Sequence, residues 1–341
     1  MFTLDLLALP VIAAPMAGGA STPELVAAVN AAGGLGFLAA GYRTAAVMAE
    51  QIARARELTD RPVGVNLFVP GVVDPAAVAG LPRYRAELLP EAERLGVTLP
   101  VEIAADGEDW EAKIAALLAD PVEVVSYTFG LPTRQEAAAL RAAGTAQVAT
   151  VTSPAEARAA AALGMDALCV QGPEAGGHRG THLVGAAPGT EPLLALLAQV
   201  RAAVDLPLIA AGGLGTGPRI AAALGHAQAV QLGTAYLLAD EAGTSPAHRA
   251  ALADPRFTET VITRAFTGRP ARALRNAFTT RHADQAPHAY PEVHHLTAPL
   301  RTAATRTGDL DTVHLWAGTS HATTRPGAAA EITERLWREA G

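Results

Sequence analysis

Lysine and cysteine are almost missing from this sequence: Lys113 is the only lysine and Cys169 the only cysteine among 341 residues. A single cysteine rules out an internal disulfide framework and offers no metal-ligand spacing. Schiff-base chemistry would fall to Lys113, which "DWEAKIAALLAD" places in a helical pattern away from any strand end, so that class is rejected. Cys169 lies in the apolar run "DALCV", where a buried structural thiol is the default. Clustered positive charge is lacking too. The basic residues are scattered, so no nucleic-acid partner is expected. The formal charge of -7 is likewise spread without acidic blocks. No apolar run reaches membrane-spanning length, and no basic residue precedes Arg43, so a signal peptide's positive region is missing. A cytoplasmic chain with no membrane partner is expected.

Half of the residues are apolar, ample for a core. Strand-like runs at 11–15, 35–39, 63–68, 122–128, 146–151, 166–171, 206–212 and 229–234 alternate with Ala-rich helical stretches. These runs are continuously apolar, as expected for strands covered on both faces. Eight such units predict an α/β chain built on a (β/α)8 TIM barrel, with an open parallel sheet as the alternative. Two excursions interrupt the alternation. Residues 70–112 read as a helical insertion. Residues 241–310 are too polar and aromatic for one barrel helix and read as a smaller lid or substrate domain. The expected division is thus a barrel over 1–240, a lid over 241–310, and a segment over 311–341 whose "AEITERLW" returns to close the barrel.

The hexapeptide "AAGGLG" occurs at 31–36 and again at 210–215. The first copy ends a helix that Ser21 and Glu24 open with capping-box spacing, which makes Gly33 a helix-ending glycine. The second copy follows a strand, at the end of a barrel where sites are built. Its Gly212 and Gly213, with Gln231, Leu232, Gly233 and Thr234 after the last strand, are small enough for phosphate oxygens to reach backbone amides. Tight turns alone would explain either loop. Asn66 and Gln171 end two strands, and a carboxamide suits the edge of a flavin or another heterocycle, while an ordinary strand-end amide explains each singly. Met16 follows the first strand among small residues, where a flat ring could lie against the backbone, although a tight βα turn explains the stretch too. In "QGPEAGGHRGTH", Gly176 and Gly177 strip side chains from around His178, which could take a proton from carbon when neutral or hold an anion when charged, although a lone loop histidine is more often a surface residue. The histidines of the lid, His282, His288, His294 and His295, fall at no recognised metal spacing, so no metal site is expected.

Taken together, "APMAGG", "VNLF", "VSYTFGLP", "QGPEAGGHRGTH", "PLIAAGG" and "VQLGTAYL" resemble the class I nitronate monooxygenases, formerly called 2-nitropropane dioxygenases. "TSPAHRAAL", "ITRAFTGRPARALRN", "YPEVHHLTAPLR" and "LWAG" extend the likeness in order over nearly the whole chain. The resemblance implies a two-domain FMN enzyme. Asn66, Gln171, Gly176, Gly213 and Gln231 through Thr234 would contact FMN, and His178 would be the base or substrate-positioning histidine. It implies oxidation of alkyl nitronates such as propionate 3-nitronate with O2, through a flavin semiquinone formed by single-electron transfer. Carbonyl compounds and nitrite result, and reduced nicotinamide is not required. Nitronate and O2 are then the only partners, and the chain is a monomer or homodimer. Two positions depart from the pattern. His182 stands where many relatives have an aromatic residue, and His294, four residues after Tyr290, stands where some have a second tyrosine. Tyr290 and His294 are candidates for the substrate pocket, although Tyr290 equally suits packing of the lid on the barrel. An FMN-dependent enoyl-acyl-carrier-protein reductase using NAD(P)H shares the barrel and a similar "GGH" loop, and a non-catalytic flavin or phosphate binder is the third reading.

Overall fold

The computed structural model describes residues 2–72, 74–103 and 107–341. In chain order its strands are β1 (Val11–Ala13), β2 (Leu35–Ala39), β3 (Gly64–Phe68), β4 (Val124–Thr128), β5 (Ala146–Val151) and β6 (Ala167–Gln171). There follow β7 (Gly177–His178), β8 (Leu208–Ala211), β9 (Ala229–Leu232), β10 (Thr260–Thr263) and β11 (Ala271–Leu274). Strands β1 to β6, β8 and β9 form a closed barrel. The closure is the parallel pairing of β1 with β9 through Val11↔Val230, Ile12↔Gln231 and Ala13↔Leu232. All eight expected strands are therefore present, and the open sheet is excluded.

The continuous apolar runs conceal a period of two. Outward positions such as Val65, Val125, Leu168, Ala210 and Val230 join the core beneath the helices. Inward positions such as Ile12, Phe37, Val148, Cys169 and Ile209 form a second cluster inside the barrel, against which Phe2, Leu4 and Leu7 pack. Carried to the carboxyl ends of the strands, the same alternation brings Asn66, Thr128, Thr150, Gln171 and Gln231 to the inner face. The rim is polar because of that phase. Within the barrel Phe37 takes the room that a side chain at residue 64 would need: a Cβ on Gly64 would lie 2.6 Å from the Phe37 ring.

The helix Pro23–Ala31 is capped by Thr22, whose hydroxyl accepts from the backbone of Leu25. The expected cap, Ser21, instead accepts from Met16 N at 2.8 Å and donates to Ala14 O at 3.3 Å. A hydroxyl one residue earlier is better placed to brace the loop after β1 than to reach the helix. Gly33 does follow the helix in a left-handed conformation, with φ 93°. The C-terminal helix Ala329–Ala340 returns to the barrel and contributes Ala329, Ile332 and Leu336 to the core beneath the helices.

The insertion after β3 and the segment after β9 share one core. Tyr84, Leu88, Ala92 and Leu99 pack with Phe266, Phe278, Val293 and Leu300. Tyr84 also donates its hydroxyl to Ala265 O at 2.6 Å. Residues 73 and 104–106 of the insertion lie outside the described residues. Above the rim, β10, β11 and β7 make a separate antiparallel sheet. No helix among the described residues is long and apolar enough to cross a membrane.

Because Phe37 is 2% exposed and cannot retreat, Gly64→Ala is expected to destabilise the chain by about 1–3 kcal/mol through overpacking. In urea denaturation the double variant Gly64→Ala/Phe37→Leu should lose less than the two single changes added together. Strict additivity would contradict the packing.

Candidate functional site

Every residue nominated from the sequence for cofactor contact borders one cavity of about 310 Å³ at the carboxyl rim. Met16, Asn66, Gln171, Gly176 and Gly177 line it, as do Gly212, Gly213, Gln231, Leu232, Gly233, Thr234 and His178. Its size falls in the usual range of small-molecule sites.

The phosphate-sized end is built from bare backbone. Gly212 and Gly213 have φ of 125° and 69°, which side-chain-bearing residues rarely adopt. A Cβ on Gly213 would lie 2.9 Å from Glu174 Cβ and 3.2 Å from Thr319 Oγ1. Thr234 opens a three-residue 3-10 turn after β9, and its hydroxyl accepts from Gly318 N at 2.9 Å. Gly213 and Thr234 thus meet around the same 318–319 segment. That is the arrangement in which barrels hold phosphate, on the loops after the last two strands and a short extra helix.

Asn66 is 1% exposed and spends its amide hydrogens on Ser126 Oγ at 2.9 Å and Thr128 Oγ1 at 3.1 Å. Gln171 is engaged otherwise than the sequence suggested. Its Nε2 donates to His178 O at 3.0 Å, and its Oε1 accepts from Gly180 N at 2.8 Å and from Arg179 at 3.2 Å. The amide ends of Gln171 therefore hold the His178 loop in place. That loop is further pinned by β7, in which His178 pairs with Ala271 and Gly177 with Arg272 of β11. A β-ladder of two residues carries no periodicity, so the sequence gives no sign of it.

The His178 ring stands among Phe129, Trp316 and Tyr290, with centroids 5.6, 5.4 and 5.8 Å away. Its Nε2 is 3.0 Å from Thr267 Oγ1. Burial, and then the positive charges of Arg269 and Arg301, hold the imidazole down to about 3, so it is neutral through the physiological range. Arg269 is fully buried and lies 4.0 Å over the Phe129 ring and 5.2 Å over Tyr290. It donates to Thr181 O at 2.6 Å, and burial lowers its guanidinium only to about 10, so it keeps its charge. Phe129, Thr267, Arg269 and Trp316 were not singled out from the sequence. Phe129 and Trp316 lie within the resemblance motifs "VSYTFGLP" and "LWAG", and Thr267 and Arg269 within "ITRAFTGRPARALRN", where Thr267 looks like any turn hydroxyl.

Tyr290 and His294 do not border the cavity; they form the layer behind it. Tyr290 donates to Tyr42 Oη at 3.1 Å, and His294 stacks on Tyr42 at 4.1 Å with 9° between the rings. Tyr42 is the member of this group that reaches the wall. Burial and Arg301 press His294 far below the ordinary histidine range. His182, the other departure, contacts Thr150 O at 3.1 Å through Nε2.

A family model described as nitronate monooxygenase matches residues 2–339. The chain belongs to the nitronate monooxygenase family. It is 37% identical over 328 residues to a probable nitronate monooxygenase of Staphylococcus aureus strain Newman, covering 93% of this chain and 90% of that protein. Among solved structures, a nitroalkane oxidase from Streptomyces ansochromogenes matches with a TM-score of 0.93 at 50% identity, covering 99% of this chain and 97% of that one. FabK from Thermotoga maritima matches less closely, with a TM-score of 0.75 at 26% identity over 99% of this chain and 94% of that one. This member of the nitronate monooxygenase family is accordingly an oxidoreductase.

The donor set fits a phosphorylated flavin. Left-handed glycines at 212 and 213 bare the amides at one end, apolar Met16 suits a ring face, and carboxamides line the inner wall. His248, which also borders the cavity, is held down to about 4 by burial. His178 and His248 therefore bind a proton less readily folded than unfolded, where the ordinary value is 6.5. Below about pH 6.5 the unfolded chain takes up protons that the folded chain refuses, so stability falls with falling pH and is unaffected by these groups above it. The urea midpoint is expected to drop between pH 7 and pH 5. In His178→Gln that drop should be shallower, and an unchanged slope would count against a neutral buried imidazole.

Proposed function

We propose that this chain binds FMN at the barrel rim and oxidises small alkyl nitronates, of the propionate 3-nitronate type, with O2 to carbonyl compounds and nitrite. The observation that carries the reading is the convergence of a glycine-lined anion cradle, through Gly212, Gly213, Gly233 and Thr234, with His178 on one cavity. Gly176, Gly177, Asn66, Gln171, Gln231, Leu232 and Met16 would complete the FMN site. FMN supplies the redox chemistry that links substrate to oxygen. The chain's own residues bind and orient. Phe129, Tyr42 and Trp316 offer an apolar wall that limits water, while buried Arg269 lends positive potential to an anionic substrate. Neutral His178 borders the space that a nitronate would occupy and adds no charge to it. The 50% identity to a nitroalkane oxidase supports neutral nitroalkanes as a second substrate class, for which His178 would be the base. A cytoplasmic location is part of the same proposal.

The competing reading, an enoyl reductase driven by NAD(P)H, predicts rapid bleaching of the flavin by NADH without oxygen. The expected result is a yellow protein with slow or absent bleaching, and oxygen uptake on addition of propionate 3-nitronate. His178→Asn and His178→Ala should retain the flavin spectrum yet lose about 10²-fold or more in turnover of nitroethane, the size of a general-base contribution. Full turnover in both would remove His178 from the chemistry, and a colourless protein that cannot be reconstituted would end the flavin reading.

A further inference from the structure

One ring nitrogen of His178 is already committed before any substrate arrives. Nε2 lies 3.0 Å from Thr267 Oγ1. The Thr267 hydroxyl donates to Arg269 O at 3.2 Å, and the Arg269 N–H approaches the same oxygen at 3.4 Å. A threonine has one hydrogen to give and a carbonyl can only accept. With that hydrogen on the carbonyl, the hydroxyl meets Nε2 with a lone pair, so Nε2 must carry the hydrogen of the ring. Neutral imidazole has only one, and Nδ1 is left bare. Nδ1 has no protein hydrogen-bond partner among the described residues, and His178 borders the cavity. Thr267 has little freedom to rearrange. It is 2% exposed, its N–H is bonded to Arg264 O at 3.1 Å, and the Arg179 N–H holds Pro270 O at 2.8 Å.

We propose that Thr267 is a positioning residue which, with the carbonyl of Arg269, fixes His178 as its Nε2–H tautomer and turns the Nδ1 lone pair toward substrate. The inference rests on the functional reading above and adds the nitrogen that reacts. On a neutral nitroalkane, Nδ1 takes the proton from the carbon bearing the nitro group. The C–H bond breaks, an N–H bond forms, and the electron pair moves onto the nitro oxygens, leaving a nitronate beside an imidazolium. The other tautomer would present Nδ1–H and have no lone pair to offer. A substrate that is already a nitronate needs no such transfer and is indifferent to Thr267.

The tautomer is read directly by ¹⁵N NMR of histidine-labelled protein as purified, with His178 assigned as the signal missing from His178→Asn. Hydrogen-bearing and bare nitrogens of neutral imidazole resonate far apart. The wild type and Thr267→Ser are expected to contain the Nε2–H form alone, and Thr267→Val a mixture. In Thr267→Val, kcat for nitroethane should fall about 10- to 100-fold with KM little changed, part of what a general base contributes, and Thr267→Ser should restore most of it. Turnover of propionate 3-nitronate should stay within about twofold, since no proton is moved. An Nδ1–H tautomer in the wild type overturns the inference, as does an unmixed Nε2–H form or undiminished nitroethane turnover in Thr267→Val. Should no variant, wild type included, turn over any nitro compound, the functional reading fails while the NMR spectra still decide the role of Thr267.

Discussion

The site depends on one short piece of antiparallel pairing, that of Gly177 and His178 with Arg272 and Ala271. Without it the loop after β6 would be a glycine-rich excursion free to sample many conformations, since glycine loses more freedom on ordering than any other residue. The ladder, the Gln171 amide and the N–H of Arg179 on Pro270 O together fix the loop from the barrel side and from the layer above it. Loops rich in glycine give close backbone approach to a ligand at the cost of order. Here the order is supplied by a strand more than ninety residues further along the chain. The bond is mutual, because β11 is held over the rim by the very residues it orders.

The second constraint is electrostatic. Among the described residues Arg269 is buried without a carboxylate partner, an arrangement that costs free energy unless other contacts offset it. The faces of Phe129 and Tyr290 and the carbonyl of Thr181 are those contacts. A desolvated cation over an aromatic face gains on the order of 2 kcal/mol. The residual positive potential disfavours a second cation and, after burial itself, helps to keep the neighbouring imidazole neutral. Burial and the guanidinium over Phe129 thus act together to keep His178 uncharged.

What could be read from the sequence follows from which signals are local. The eight barrel strands were legible because burial on both faces makes them apolar throughout, and closure followed from their number. The cavity's rim was legible because glycine loops follow both of the last two strands, although a tight turn would explain either loop alone. Ser21 misled because two adjacent hydroxyls, at 21 and 22, satisfy nearly the same capping pattern. Gln171 was found at the wall but its partners were not, since an amide offers the same two groups to a ligand and to a backbone. The contribution of residues 81–99 to the layer above the rim could not be seen, because their partners at 265–300 lie far away in the chain. Tyr290 and His294 were placed at the pocket from their motif, yet they act one layer back through Tyr42, a distinction that only packing decides. Thr267 lay inside the motif "ITRAFTGRPARALRN", but nothing distinguished its hydroxyl from that of an ordinary turn.

Phe129 shows why the layers are inseparable. Its φ of 77° is unfavourable for a bulky residue and costs on the order of 1–3 kcal/mol. Glycine would adopt that conformation without strain, so the side chain must be worth more than the strain it brings. It touches Phe68 at 4.5 Å and Tyr290 at 5.3 Å, presents its edge geometry to His178 at 5.6 Å, and lies under Arg269 at 4.0 Å. Each partner comes from a different segment: β3, the helix-leading turn at 290, the loop after β6, and the turn before β11. A glycine would relax the backbone but leave the guanidinium without its nearest ring and the imidazole without one of its walls. The strained conformation persists because the two-layered site, not the strand that carries it, determines where that ring must be.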